Sequence, residues 1–84
     1  MKTEMYTIYD SVAQIHNKPF HQTNKQVALR TATDLANDPK GEIFKNPEHY
    51  SMFYVGTYDD SNAEIELAIP MEHVLNFHEL INHD

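Results

Sequence analysis

The sequence has no cysteine, no tryptophan and only two glycines among its 84 residues. Without cysteine there is no disulfide scaffold, no thiolate zinc site and no thiol nucleophile. Gly41 and Gly56 stand far apart, so no phosphate-cradling loop or dinucleotide fingerprint forms, and no G-x-S-x-G elbow is present. No run approaches the roughly 20 apolar residues of a membrane span. Residues 1–10 hold two acids and no apolar core segment, which predicts no secretory signal. Positive charge is scarce as well: six Lys and Arg face thirteen Asp and Glu, for a net charge of -7. These absences leave a non-enzymatic protein without cofactor or metal as the expectation.

What is present fits one small α+β domain over residues 1–84, since hydrophobic residues make up 40% of the chain. A chain this short buries a thin core, so self-association, most simply as a homodimer, is the expected way to gain buried area. The negative charge is unevenly spread. Residues 1–42 hold five cations and five acids, whereas residues 43–84 hold one cation and eight acids and so carry the whole -7. Ser11 to Thr33 contains no acid but includes Lys18, Lys25 and Arg30, with His16 and His21 beside them. An anion or phosphate would meet the protein there, unless these cations are ordinary solvated surface.

The strand signals are clear. Met5–Tyr9 is rich in β-branched and aromatic residues and reads as a first strand. Val12–Phe20 has no period and reads as an irregular arm. A helix capped by Thr23 or Asn24 follows, with Ala28, Ala32, Leu35 and Ala36 on its apolar face and Asn37-Asp38-Pro39 at its end. Lys40–His49 reads as a loop. Tyr50–Tyr58 is apolar on both faces, with Met52, Tyr54 and Tyr58 on one and Phe53 and Val55 on the other, as in a central strand. A turn over Asp59–Asn62 leads into Ala63–Ile69, which alternates Ala63, Ile65, Leu67 and Ile69 inward against Glu64 and Glu66 outward. Pro70 closes that strand, and Met71–Ile81 reads as a short helix with Val74, Phe77 and Leu80 or Ile81 as its stripe. The expected fold is a three-stranded, antiparallel-type sheet with one main helix on one face and a short C-terminal helix, in the order β-α-β-β-α.

Six histidines are the first suspects for chemistry. His73, His78 and His83 are five apart, which on a helix turns each about 140° from the last and prevents an i, i+4 metal pair. His16 and His21 lie in the arm, and His49 stands alone. Scattered surface histidines are the expected outcome. Asp59-Asp60 lacks the oxygen-ligand repeat of a calcium loop and reads as a hairpin tip. The tyrosines are more informative, because a sheet presenting Tyr54 and Tyr58 can stack exposed bases. Such a platform normally carries a basic track, whereas the neighbouring strand here offers Glu64 and Glu66, which repel phosphate. Nucleic acid is therefore expected first at Lys18, Lys25, Arg30 and His21 of the arm and first helix, with Tyr54 and Tyr58 as the candidate stacking residues. Glu64 and Glu66 are the alternative site, for a basic protein partner.

Several blocks carry a resemblance. They are Tyr6-Thr7-Ile8-Tyr9-Asp10-Ser11, Lys18-Pro19-Phe20, Ala28-Leu29-Arg30 running on to Asn37-Asp38-Pro39, and the long run from Asn46 through Pro47, Glu48 and His49 to Asp59. In order and spacing the chain resembles the small nonstructural protein of gokushovirus-type microviruses, the single-stranded DNA bacteriophages, over roughly Tyr6 to Pro70. The resemblance implies an accessory factor of viral DNA replication, at the switch to single-strand synthesis or at genome packaging. It implies a protein of the host bacterial cytoplasm that is not a virion component. Single-stranded DNA is one implied partner; the viral replication protein, a capsid precursor or a host factor is the alternative. Where similar proteins have Thr-Gly in the hairpin, this one has Ser61-Asn62, and asparagine tolerates a positive φ there.

Overall fold

Strand-forming residues occupy both ends of the chain, and the helix lies between them. The computed structural model describes residues 1–81. Strand β1 spans Lys2–Asp10, followed by two short strands, β2 (Ile15–His16) and β3 (Phe20–Gln22). Helix α1 covers Lys25–Ala36, and a short helix, α2, covers Glu42–Lys45. Strands β4 (Tyr50–Asp59) and β5 (Glu64–Asn76) complete an antiparallel sheet in the order β2-β1-β4-β5, with β3 also paired to β1. Short 3-10 turns lie at Pro47–His49 and Phe77–Leu80.

The α+β class and the single main helix are as expected, but the sheet has five strands rather than three. The expected arm supplies β2 and the first residue of β3, which runs on through His21 and Gln22. Asp10 Oδ1 accepts from the amides of Val12 and Ala13, and Gln14 turns the chain at a φ of 59°. Asn17 then acts as a strand neighbour, taking the Ile8 amide on its side-chain oxygen and donating its own amide to the Ile8 carbonyl. A loop was expected over residues 40–49, but it holds α2 and a 3-10 turn.

The larger correction is at the C-terminal end. Met71–Asn76 is strand, not helix, because the ladder to β4 resumes at Tyr54↔Glu72 and continues to Ser51↔Asn76. Pairing with a central strand overrides a weak helical pattern. Pro70 does not end β5 but lies where its ladder is interrupted: pairing with β4 stops at Leu67 and resumes at Glu72, so the missing amide forfeits no ladder bond. The hairpin turn also differs in detail: the left-handed residue is Ala63, at φ 61°, while the Asn62 side chain accepts from the Glu64 amide.

Asn24 caps α1 by accepting from the Val27 amide at 2.9 Å. Ala28, Ala32 and Ala36 are fully buried against Tyr6, Met52, Leu75 and Phe77. Small side chains bring the helix close to the sheet, and Phe77 fills the space beyond it. Leu35, expected in the stripe, is exposed, and Leu29 packs against the core instead. Asn37 Nδ2 donates to the Leu80 carbonyl at 3.0 Å and so ties the helix end to the final turn.

Candidate nucleic-acid interface on the open sheet face

Residues directly opposite one another on paired strands share a face, so the register sorts every side chain. The rows Ile8–Met52–Leu75 and Phe20–Tyr6–Tyr54–Glu72 contain the core residues and face α1. The intervening rows face away from it. They are His16–Tyr9–Ser51–Asn76, Thr7–Phe53–His73, His21–Met5–Gly56–Leu67 and Thr3–Tyr58–Ile65. None of these four rows contains Asp, Glu, Lys or Arg. Every acid on β1, β4 and β5 falls in a row on the helix side: Glu4, Asp10, Asp59, Glu64, Glu66 and Glu72.

Aromatic rings run across the uncharged face. Tyr9 and His16 lie 4.6 Å apart by ring centroids, His16 and Phe53 5.6 Å, and Phe53 and His73 5.4 Å. His21 and Tyr58 form a second group, edge to face at 5.4 Å. Threonines of β1 fix two of the imidazoles: Thr7 Oγ1 is hydrogen-bonded to His16 Nδ1 at 2.9 Å and Thr3 Oγ1 to His21 Nδ1 at 3.1 Å. His73 Nε2 is bonded to Asn76 Oδ1 at 2.9 Å. His21 and His73 are exposed, while Tyr9, His16, Phe53 and Tyr58 are half-buried with part of each ring accessible.

The expected nucleic-acid residues are thereby divided. Tyr58 and His21 lie on the open face. Tyr54 lies on the other side, its ring 5.6 Å from that of Tyr6. Tyr54 and Tyr58 were expected on one face, but the ladder shifts around Val55, where Tyr6 pairs with Tyr54 and Met5 with Gly56. One extra residue turns every later side chain to the opposite face. The same geometry overturns the electrostatic objection, because Glu64 and Glu66 occupy the face opposite Tyr58. Lys25 and Arg30 are exposed on α1, and Lys18 is exposed in the link between β2 and β3. Lys25 lines a cavity of about 200 Å³ together with Glu4, Tyr54 and Glu72, so its segment is free of acid in sequence but not in space. Tyr9, Phe53, His16 and His73 were not among the expected site residues. The Thr3-Met5-Thr7-Tyr9 alternation was an available signal for Tyr9; the other three are brought beside it only by strand pairing.

Histidines 73 and 78 do not share a helix, since His73 is on β5 and His78 in the final 3-10 turn; His83 lies outside the described residues. Among the described residues no group of three or more His, Cys, Asp or Glu is placed to hold a metal ion. No helix there is long and apolar enough to cross a membrane.

Below the helix, burial raises the Tyr6 hydroxyl above its ordinary 10.0, reinforced by its 2.7 Å bond to Glu4 Oε1. Burial likewise raises Tyr50, with Asp10 nearby, and Tyr54, with Glu4 and Glu72 nearby. In the unfolded chain these phenols ionise first, so their contribution to stability is complete below pH 10.0 and is lost as pH rises above it. An alkaline titration is expected to show tyrosinate absorbance rising together with loss of far-UV circular dichroism. Ionisation of all tyrosines before any unfolding would contradict this packing.

This is a small α+β protein whose sheet has one side covered by a helix and the other open, uncharged and lined with rings. A family profile described as Phage ORF5 protein matches residues 3–80, and the chain belongs to that family of phage proteins. No curated protein and no solved structure matches it.

Proposed function

We propose that this phage protein is a non-enzymatic accessory factor of viral DNA replication that holds single-stranded DNA on the open face of its sheet. It acts at the switch to single-strand synthesis or at genome packaging, in the host cytoplasm and not as part of the virion. The carrying observation is the set of four uncharged rows bearing Tyr9, His16, Phe53, His73, His21 and Tyr58. Bases stack on such rings at roughly 1–3 kcal/mol each, and a single strand exposes the base faces that a duplex hides. The likeness to microviral nonstructural proteins supports DNA as the strand.

With no Lys or Arg in these rows, phosphate contacts come only from outlying cations such as Lys18. Binding is therefore expected to depend weakly on salt. Fluorescence anisotropy with a labelled oligothymidine should show saturable binding that weakens less than about tenfold between roughly 50 and 200 mM salt. A protein that neutralises many phosphates loses about 10³–10⁵ over that range. Absence of binding at low salt would sink the proposal.

A second reading rests on the helix-side rows Glu4–Thr57–Glu66 and Lys2–Asp59–Glu64, which gather carboxylates at the hairpin. They suit a basic surface on the viral replication protein, a capsid precursor or a host factor. Charge reversal at Glu64 and Glu66, both exposed, separates the two readings: it abolishes capture of such a partner and leaves the ring face untouched.

A further inference from the structure

The sheet is longer than its helix. The β5 ladder runs from Asp59↔Glu64 to Ser51↔Asn76, nine residues of β4 or about 30 Å at roughly 3.3 Å each, whereas the twelve residues of α1 reach only about 18 Å. The hairpin half of β5 consequently has no second layer. Ile65, Leu67, Ile69 and Met71, the first three of them expected inward, are 59%, 60%, 86% and 42% exposed. The register places Ile65 and Leu67 on the open face, and Ile69 and Met71 follow in the stretch 68–71, which the β4 ladder skips and which contains the cis Ile69-Pro70 bond. The chain exposes 5737 Å², against about 5200 Å² for a compact monomer of its mass.

We propose that this apolar strip is a homodimer interface on which a second copy of the chain docks its own identical strip about a two-fold axis. The four side chains present roughly 450 Å² of apolar surface, over half of the roughly 800 Å² each partner gives to a standard interface. Charge selects the partner. Two chains of net charge -7 repel one another, so a contact between copies costs least through an uncharged patch. The Thr3–Tyr58–Ile65 and Met5–Gly56–Leu67 rows are such a patch, and Asp59, Glu64 and Glu66 point to the opposite side of the sheet. A basic partner would be drawn to that opposite side instead. Docking is face-on, because Pro70 and the break in register between Tyr54 and Gly56 blunt the β5 edge against strand addition. Phe53 is five residues from Tyr58, about 16 Å along β4, so the ring group of Tyr9, His16, Phe53 and His73 remains open to a single strand, whereas Tyr58 and His21 lie in the rows that the second copy covers. The interface does not depend on the single-strand reading.

Sedimentation velocity on the full chain from about 10 to about 200 μM tests it. The expected result is a species of twice the 9.8 kDa chain mass. Ile65→Thr with Leu67→Thr should raise the dimer dissociation constant at least about tenfold, with far-UV circular dichroism unchanged. Ile69→Lys, at the most exposed of these positions, should do the same without touching the packed sheet. Glu64→Gln with Glu66→Gln, on the opposite face, should not weaken the dimer. A wild-type chain that stays monomeric throughout overturns the proposal and assigns the strip to another partner. Strip variants that dimerise as tightly as wild type overturn it as well.

Discussion

Gly56→Ala is expected to lower stability by about 3 kcal/mol or more, which for a domain of this size moves the melting temperature down by roughly 12 °C or more. A Cβ at this position would sit 2.1 Å from the Glu66 carbonyl oxygen and 3.0 Å from both the Glu66 carbonyl carbon and the Leu67 Cα. All three atoms are backbone of the paired strand, so no side-chain rotation relieves the clash. The φ of +154° adds to the cost, since side-chain-bearing residues rarely adopt it. Either β5 moves away or the ladder slips, and a slip would remove Tyr58 from the open face. Gly41→Ala is the matched control. Its nearest atom lies at 3.4 Å, an ordinary contact, so a change within about 0.5 kcal/mol is expected. Thermal unfolding followed by circular dichroism checks both. A fall of under about 4 °C for Gly56→Ala would contradict the close approach of β4 and β5.

Phe53→Leu is expected to weaken binding of oligothymidine about five- to 150-fold, the range that corresponds to losing about 1–3 kcal/mol of base stacking. Phe53 is the centre of the ring group, in contact with Tyr9, His16 and His73. Leucine keeps much of the volume and costs under about 1.5 kcal/mol of stability, so the fold survives while the flat π surface is lost. Lys25→Gln and Arg30→Gln, on the helix, should change the affinity less than about twofold, because their side of the sheet carries the carboxylates. If these helix variants lost binding and Phe53→Leu kept it, the contact would lie on the helix and the open-face reading would fail. Anisotropy titrations on the three variants and the wild type decide between the two.

Local patterns were legible wherever the chemistry is local. The alanine face of α1 and its Asn24 cap follow from spacing and side-chain chemistry, and β1 and β4 follow from their β-branched and aromatic content. The errors arose where a distant strand decided the outcome. Met71–Asn76 has enough helical spacing to resemble a short helix, yet β4 claims it as ladder. Ile65 and Leu67 alternate like core residues, but the helix ends before it can cover them. His16, Phe53 and His73 are far apart in sequence and become neighbours only through the pairing of β1, β2, β4 and β5.

The sequence by itself determined the elements that short-range forces make, the excess of acid, and the exclusion of thiol and glycine-loop chemistry. Only the tertiary structure decided which side of the sheet each residue occupies. Facing depends on parity along a strand, and a single irregular residue, Val55, reverses that parity at no visible cost to the local pattern. That reversal separates the rings from the carboxylates.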